Sequence, residues 1–303
     1  MAGPAPEIHQ HLRLWWRRSA ARHRALAVVG AASVIFVLVL TLSSPVRESA
    51  VKYLPLDLVG LTLLSNATER GALCLDGSIP GYHLQRGFGS GEKNWVLHIE
   101  GGGWCNSVKS CSFRRGTPLG SSHFMEREIF LHGILSHDQS QNPDFYNWNR
   151  VKIRYCDGGS FSGDVEIQVQ NGRKLIFRGQ RIWEAIMDEL LSKGLENAKQ
   201  AFLTGCSAGG LATFIHCDSF RALMPKETVV KCLADAGFFL DEKDISGKRT
   251  MQSFYNEVVH LQDIGKNLPK DCISRLEPSE ASLLFVYLSS RTCQEHKDPI
   301  FYS

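Results

Sequence analysis

The chain has 303 residues, of which 43% are hydrophobic and 21% charged, and its formal net charge is +3. This balance excludes a disordered, collagen-like or low-complexity protein, and a single apolar run of membrane-spanning length excludes a polytopic membrane protein. The first 24 residues hold Arg13, Arg17, Arg18, Arg22, Arg24 and one acid, Glu7, for a net +4 that leaves −1 for the rest. A near-neutral body offers no general electrostatic hold on nucleic acid, so no nucleic-acid partner is expected.

Residues 1–24 read as a cytoplasmic basic leader. Ala25 to Leu42 then follows without a charged residue over 18 positions, about 27 Å of helix. Its length and the arginines before it predict an uncleaved signal-anchor, with the C-terminal body across the membrane; the alternative is a cleaved signal peptide. Residues 43–70 read as a lumenal stem. Asn66-Ala67-Thr68 is the only glycosylation sequon, and it has meaning in a lumenal body. All nine cysteines lie beyond the apolar run, as in an exported protein. An odd count leaves at least one thiol unpaired within the chain, and Cys105 and Cys111 are spaced to close a short loop. No cysteine or histidine cluster has zinc spacing, so no metal and no cofactor is expected.

Within the body, Trp95–Ile99 and Val151–Tyr155 read as buried strands. Val165–Gln170 and Lys174–Phe177 flank Asn171-Gly172, a strong hairpin signal. Gly179–Lys193 carries Ile182, Trp183, Ile186, Met187, Leu190 and Leu191 on one helical face, with Gly194 as its C-terminal stop. Ala201–Gly205 reads as a strand, Ala208–Leu223 as a helix and Val229–Ala234 as a further strand. Strands separated by helices predict an α/β fold with a mostly parallel sheet flanked by helices.

Gly205-Cys206-Ser207-Ala208-Gly209-Gly210 has the form G-x-S-x-G between a strand and a helix. A serine on such a sharp turn stands above the sheet edge, where a helix N-terminus favours negative charge on an attacked ester oxygen. Cys206, at the second position of the turn, points into the fold. Glu100-Gly101-Gly102-Gly103-Trp104-Cys105 follows strand Trp95–Ile99 as a glycine loop whose amides, with that of Ala208, form an oxyanion hole. Trp104 and Asp157 are candidate substrate contacts, and Ser160 could line the site with Asp157; each has a structural alternative, packing for Trp104 and loop capping for Asp157 and Ser160. For the orienting acid and the base, chain order offers Asp235 and His296. His216 reads as packed in the core and His260 as a helix-surface residue.

Five pieces in order, EGGGWC (100–105), RYCDGGSFSGD (154–164), FRGQRIWEAIMDELL (177–191), LTGCSAGGLATF (203–214) and DAGFFLD (235–241), resemble plant pectin acetylesterases, with the animal Notum-type carboxylesterases as more distant relatives. The resemblance covers roughly residues 50–278. It implies an α/β-hydrolase-like fold, hydrolysis of acetyl esters on homogalacturonan, Ser207 as nucleophile, and oxyanion donors from Gly101, Gly102, Gly103 and Ala208. It also implies that the family's triad Asp and His lie further along than this chain reaches. Residues 279–303 depart from the family pattern, which predicts an esterase body over 71–278, missing C-terminal strands and a divergent tail. The alternative function is a catalytically inactive form or carbohydrate-binding remnant; a lipid-ester hydrolase of the Notum kind is the third reading.

Overall fold

The computed structural model describes residues 58–169, 172–239 and 242–268, together with the backbone of 300–302. The basic leader, the apolar run Ala25–Leu42, Cys272, Cys293 and His296 lie outside the described residues. Among the described residues no helix is long and apolar enough to cross a membrane.

Ten strands are present among the described residues: β1 (Leu58–Leu63), β2 (Gly81–Gln85), β3 (Asn94–Ile99), β4 (Glu128–Phe130), β5 (Asn149–Ile153), β6 (Val165–Gln168), β7 (Lys174–Phe177), β8 (Gln200–Cys206), β9 (Val229–Asp235) and β10 (Ile300–Tyr302). The helices are α1 (Ala67–Arg70), α2 (Val108–Arg114), α3 (Gly179–Ser192), α4 (Ala208–Leu223) and α5 (Thr250–Leu261). Eight strands form one sheet in the order β10-β9-β8-β3-β5-β2-β1-β4. From β10 to β5 the pairing is parallel, and β2, β1 and β4 add an antiparallel edge. The predicted hairpin forms as the separate antiparallel pair β6-β7.

One expectation is corrected. Leu58–Leu63 is no stem: it pairs with both β2 and β4 inside the main sheet. Within the predicted divergent tail, Ile300–Tyr302 pairs in parallel with β9 at the sheet edge.

The two sheet faces are covered differently. Trp95, Leu97, Ile99, Val151, Ile153 and Leu203 pack with Ile182, Trp183, Ile186 and Leu190 of α3 and Ala208 and Ala212 of α4 in one dry core. Each such large side chain contributes roughly 1.5–3 kcal/mol on burial. The period of α3 works as its sequence indicates, and Gly194 takes the left-handed φ of 110° that follows the helix end. On the other face His98, Lys152, Thr204, Cys206, Leu233 and Asp235 line a cavity of about 570 Å³ beneath Phe130–Leu135. Three disulfides, Cys74–Cys156, Cys105–Cys111 and Cys217–Cys232, fasten the fold; the last ties α4 to β9. Cys206 is the free cysteine among the described residues.

Candidate active site

The turn between β8 and α4 is held by backbone contact. Ser207 sits at φ 57° and ψ −118°, a strained conformation for a residue with a Cβ. Its amide donates to the Asp235 carbonyl at 2.9 Å, and its carbonyl receives the Leu211 amide at 3.0 Å. As N-cap it makes no side-chain capping bond, so the hydroxyl is not spent on the helix. Ser207 is half-buried, at the head of a 16-residue helix whose first turn carries no acid. A helix N-terminus of this kind favours developing negative charge.

The glycine loop lies directly against this turn. A Cβ on Gly101 would fall 2.4 Å from the Cys206 carbonyl oxygen and 3.4 Å from the Ser207 Cβ. One on Gly209 would fall 2.2 Å from the Ile99 carbonyl. Only glycine lets the end of β3 and the start of α4 approach this closely.

Side chains set the loop's orientation. Arg114 of α2 donates from Nη1 to the Gly102 carbonyl at 2.8 Å and from Nε to the Leu119 carbonyl at 3.0 Å. Tyr155 donates its hydroxyl to the Gly103 carbonyl at 2.9 Å. In a trans peptide the C=O and N–H point in opposite directions. Anchoring those two carbonyls therefore turns the amides of Gly103 and Trp104 away from Arg114 and Tyr155. Among the described residues, the amides of Gly101, Gly102, Gly103, Trp104 and Ala208 donate to no protein acceptor. The Trp104 amide is a donor that the glycine pattern alone does not reveal.

Glu100, the first residue of the glycine motif, stays with the sheet. Its carboxylate meets Lys152 at 3.1 Å and Arg154 at 3.0 Å and accepts the Tyr155 amide at 3.1 Å. The Cys105–Cys111 disulfide closes the short loop predicted for it and fastens the loop to α2.

Trp104 is half-buried and packs edge-on against Phe239 at 4.9 Å and Tyr255 at 5.0 Å. Its indole N–H donates to Ser160 Oγ at 2.7 Å. Asp157, the other candidate substrate contact, is fully buried, and its Oδ2 accepts the amides of Gly159 and Phe161, each at 3.0 Å. Burial pushes its carboxyl up to about 6, opposed by those amides and by Arg114. It shapes the loop after β5, in which Ser160 and Phe161 both take positive φ, 54° and 59°.

Asp235 ends β9 beside the turn, with its side chain on the Cys206 side. Burial, and then the Asp235 carboxylate, push the Cys206 thiol up, which disfavours a thiolate there. Cys206 lines the open-face cavity rather than the core. His216 is buried, stacks on Trp183 at 4.3 Å and reaches the Phe161 carbonyl at 3.1 Å, and burial pushes it down to about 3. His260 is exposed on α5. Among the described residues no histidine hydrogen-bonds the Ser207 hydroxyl.

The family model for pectinacetylesterase matches residues 55–302. Pectin acetylesterase 5 of Arabidopsis thaliana is 59% identical over 226 residues, covering 75% of this chain and 53% of that protein. Pectin acetylesterase 4 of the same plant is 58% identical over 224 residues, covering 74% and 55%. The chain thus spans about half the length of the curated relatives it matches. The crystal structure of the Wnt deacylase Notum from Drosophila superposes with a TM-score of 0.71 at 26% identity, over 80% of this chain and 70% of that one. The fold is the Notum-like α/β-hydrolase fold, with its mostly parallel sheet flanked by helices.

Proposed function

Since the chain belongs to the pectinacetylesterase family, we propose that it hydrolyses acetyl esters of pectin through Ser207 as nucleophile. The contact between the Ser207 turn and the glycine loop carries this reading. The hydroxyl attacks the ester carbonyl, the alcohol leaves, and water releases acetate from the acetyl-enzyme. The amides of Gly103, Trp104 and Ala208, with those of Gly101 and Gly102 beside them, receive the negative oxygen. Each such donor is worth roughly 100-fold or more in rate.

The step also needs a proton acceptor. His296 is the in-chain candidate and lies outside the described residues. Asp235 is the candidate acid, and its place beside Cys206 is the observation that argues for a structural role instead. The disulfides support an oxidising compartment such as the secretory pathway, and the proposed destination is the cell wall. The Ala25–Leu42 run is the proposed anchor, and Asn66, half-buried at the head of α1, the proposed glycan site.

Acetate release from acetylated homogalacturonan by the full chain tests the reading. Ser207→Ala is expected to lower kcat/KM by about 10⁴-fold or more. Release that is unchanged by Ser207→Ala, or absent from the parent chain, contradicts it and favours the non-catalytic alternative.

A further inference from the structure

The loop after β5 carries a group outside both glycine motifs. Ser160 is fully buried, yet its hydroxyl touches both halves of the site. Oγ accepts the Trp104 indole N–H at 2.7 Å and donates to the Ala208 carbonyl at 2.8 Å. Its amide donates at 3.0 Å to the Tyr155 hydroxyl, which in turn donates to the Gly103 carbonyl. One residue thereby spans the glycine loop, by Trp104 and through Tyr155, and the first peptide of α4.

Ser160 reaches that position at a cost. A positive φ is unfavourable for serine and more so for the phenylalanine that follows. Three neighbours hold the strained pair in place. The Asp157 carboxylate binds the flanking amides, Gln262 Nε2 donates to the Gly158 carbonyl at 2.9 Å, and the His216 ring meets the Phe161 carbonyl. Strain maintained from several directions indicates a geometry that matters.

We propose that Ser160 is a positioning residue that sets the spacing between the glycine-loop amides and the Ser207–Ala208 turn. This rests on the esterase reading above. It touches no substrate; it acts through Trp104, Tyr155 and Ala208. A misplacement of about 1 Å between reacting groups and their donors can cost on the order of 100-fold.

The test is a double-mutant cycle with Ser160→Ala and Trp104→Phe, the second of which removes the indole N–H and keeps a packed ring. Acetate release from the full chain gives kcat and KM separately, and thermal unfolding is followed in parallel. Each single variant is expected to lose about tenfold or more in kcat with KM little changed, and the double variant to lose no more than the worse single one. Variants that unfold earlier but keep the parent kcat overturn the inference, as do losses that multiply or fall on KM alone. If Ser160→Ala does not fold, Trp104→Phe with Tyr155→Phe gives the same reading. A parent chain indifferent to Ser207→Ala overturns the esterase reading, and this inference with it; dependence on Ser207 with indifference to Ser160 overturns this inference alone.

Discussion

The two turns that make the site are built by opposite means. The one after β8 is fixed by main chain against main chain: Gly205, Gly209 and Gly210 leave no room for a side chain, and the Asp235 carbonyl holds the Ser207 amide. The one after β3 touches that main chain at Gly101 and beyond it is fixed by side chains reaching in from α2 and from the loop after β5. Gly103, at φ 63°, has nothing within 4 Å of its missing Cβ. The first turn is thus held by main chain throughout, and the second, beyond Gly101, by side-chain anchors. A change in the first should appear as instability, and a change in the second as a slower enzyme.

Substitution at the elbow has the larger expected effect. Gly209→Ala forces a methyl into the Ile99 carbonyl, a clash that backbone must absorb at about 3 kcal/mol. Its thermal midpoint is expected to fall sharply, together with yield. A Gly209→Ala protein as stable as the parent breaks the distinction between the two turns. Arg114→Met keeps most of the volume over the Tyr155 ring, where the guanidinium lies 4.9 Å from the centroid. It removes the bond to the Gly102 carbonyl. The expected result is a tenfold or greater loss of kcat, on the scale of weakening one oxyanion donor, with a smaller loss of stability than Gly209→Ala. The reverse ranking contradicts the account.

The smallest effect sharpens the comparison through pH. Asp157 supports the side-chain-held loop, and its carboxyl is raised from 3.8 to about 6 by burial. The native state therefore holds this proton where the unfolded chain has released it. The contribution to stability is present at low pH and is lost as pH rises from about 4 to about 6. Asp157→Asn removes the titration. Its stability relative to the parent is expected to rise across that window, by up to about 1.4 kcal/mol per pH unit. Denaturant unfolding at intervals of half a pH unit reads this, and parallel curves for the two proteins contradict it.

Local pattern made much of this legible. The strand–turn–helix around Ser207, the Asn171-Gly172 hairpin and the apolar face of α3 each declare themselves within a few residues. The antiparallel edge does not: Leu58–Leu63 is a short run with no alternation clear enough to separate a strand from a stem, and its pairing with β2 and β4 is a tertiary choice. The wiring of the site is equally hidden. Ser160 meets Trp104 across 56 residues and Ala208 across 48, and Tyr155 meets Gly103 across 52. No spacing rule connects such partners. Asp157 shows the same limit, since a carboxylate in a glycine-rich loop looks equally suited to substrate or to its own amides until burial decides.

The most direct measurement is the site of covalent capture. The full chain is treated with an aryl fluorophosphonate and the adduct located by peptide mass spectrometry. The account predicts phosphonylation on the Ser207 hydroxyl, abolished by Ser207→Ala. Capture on another residue, or none on the folded chain, contradicts it.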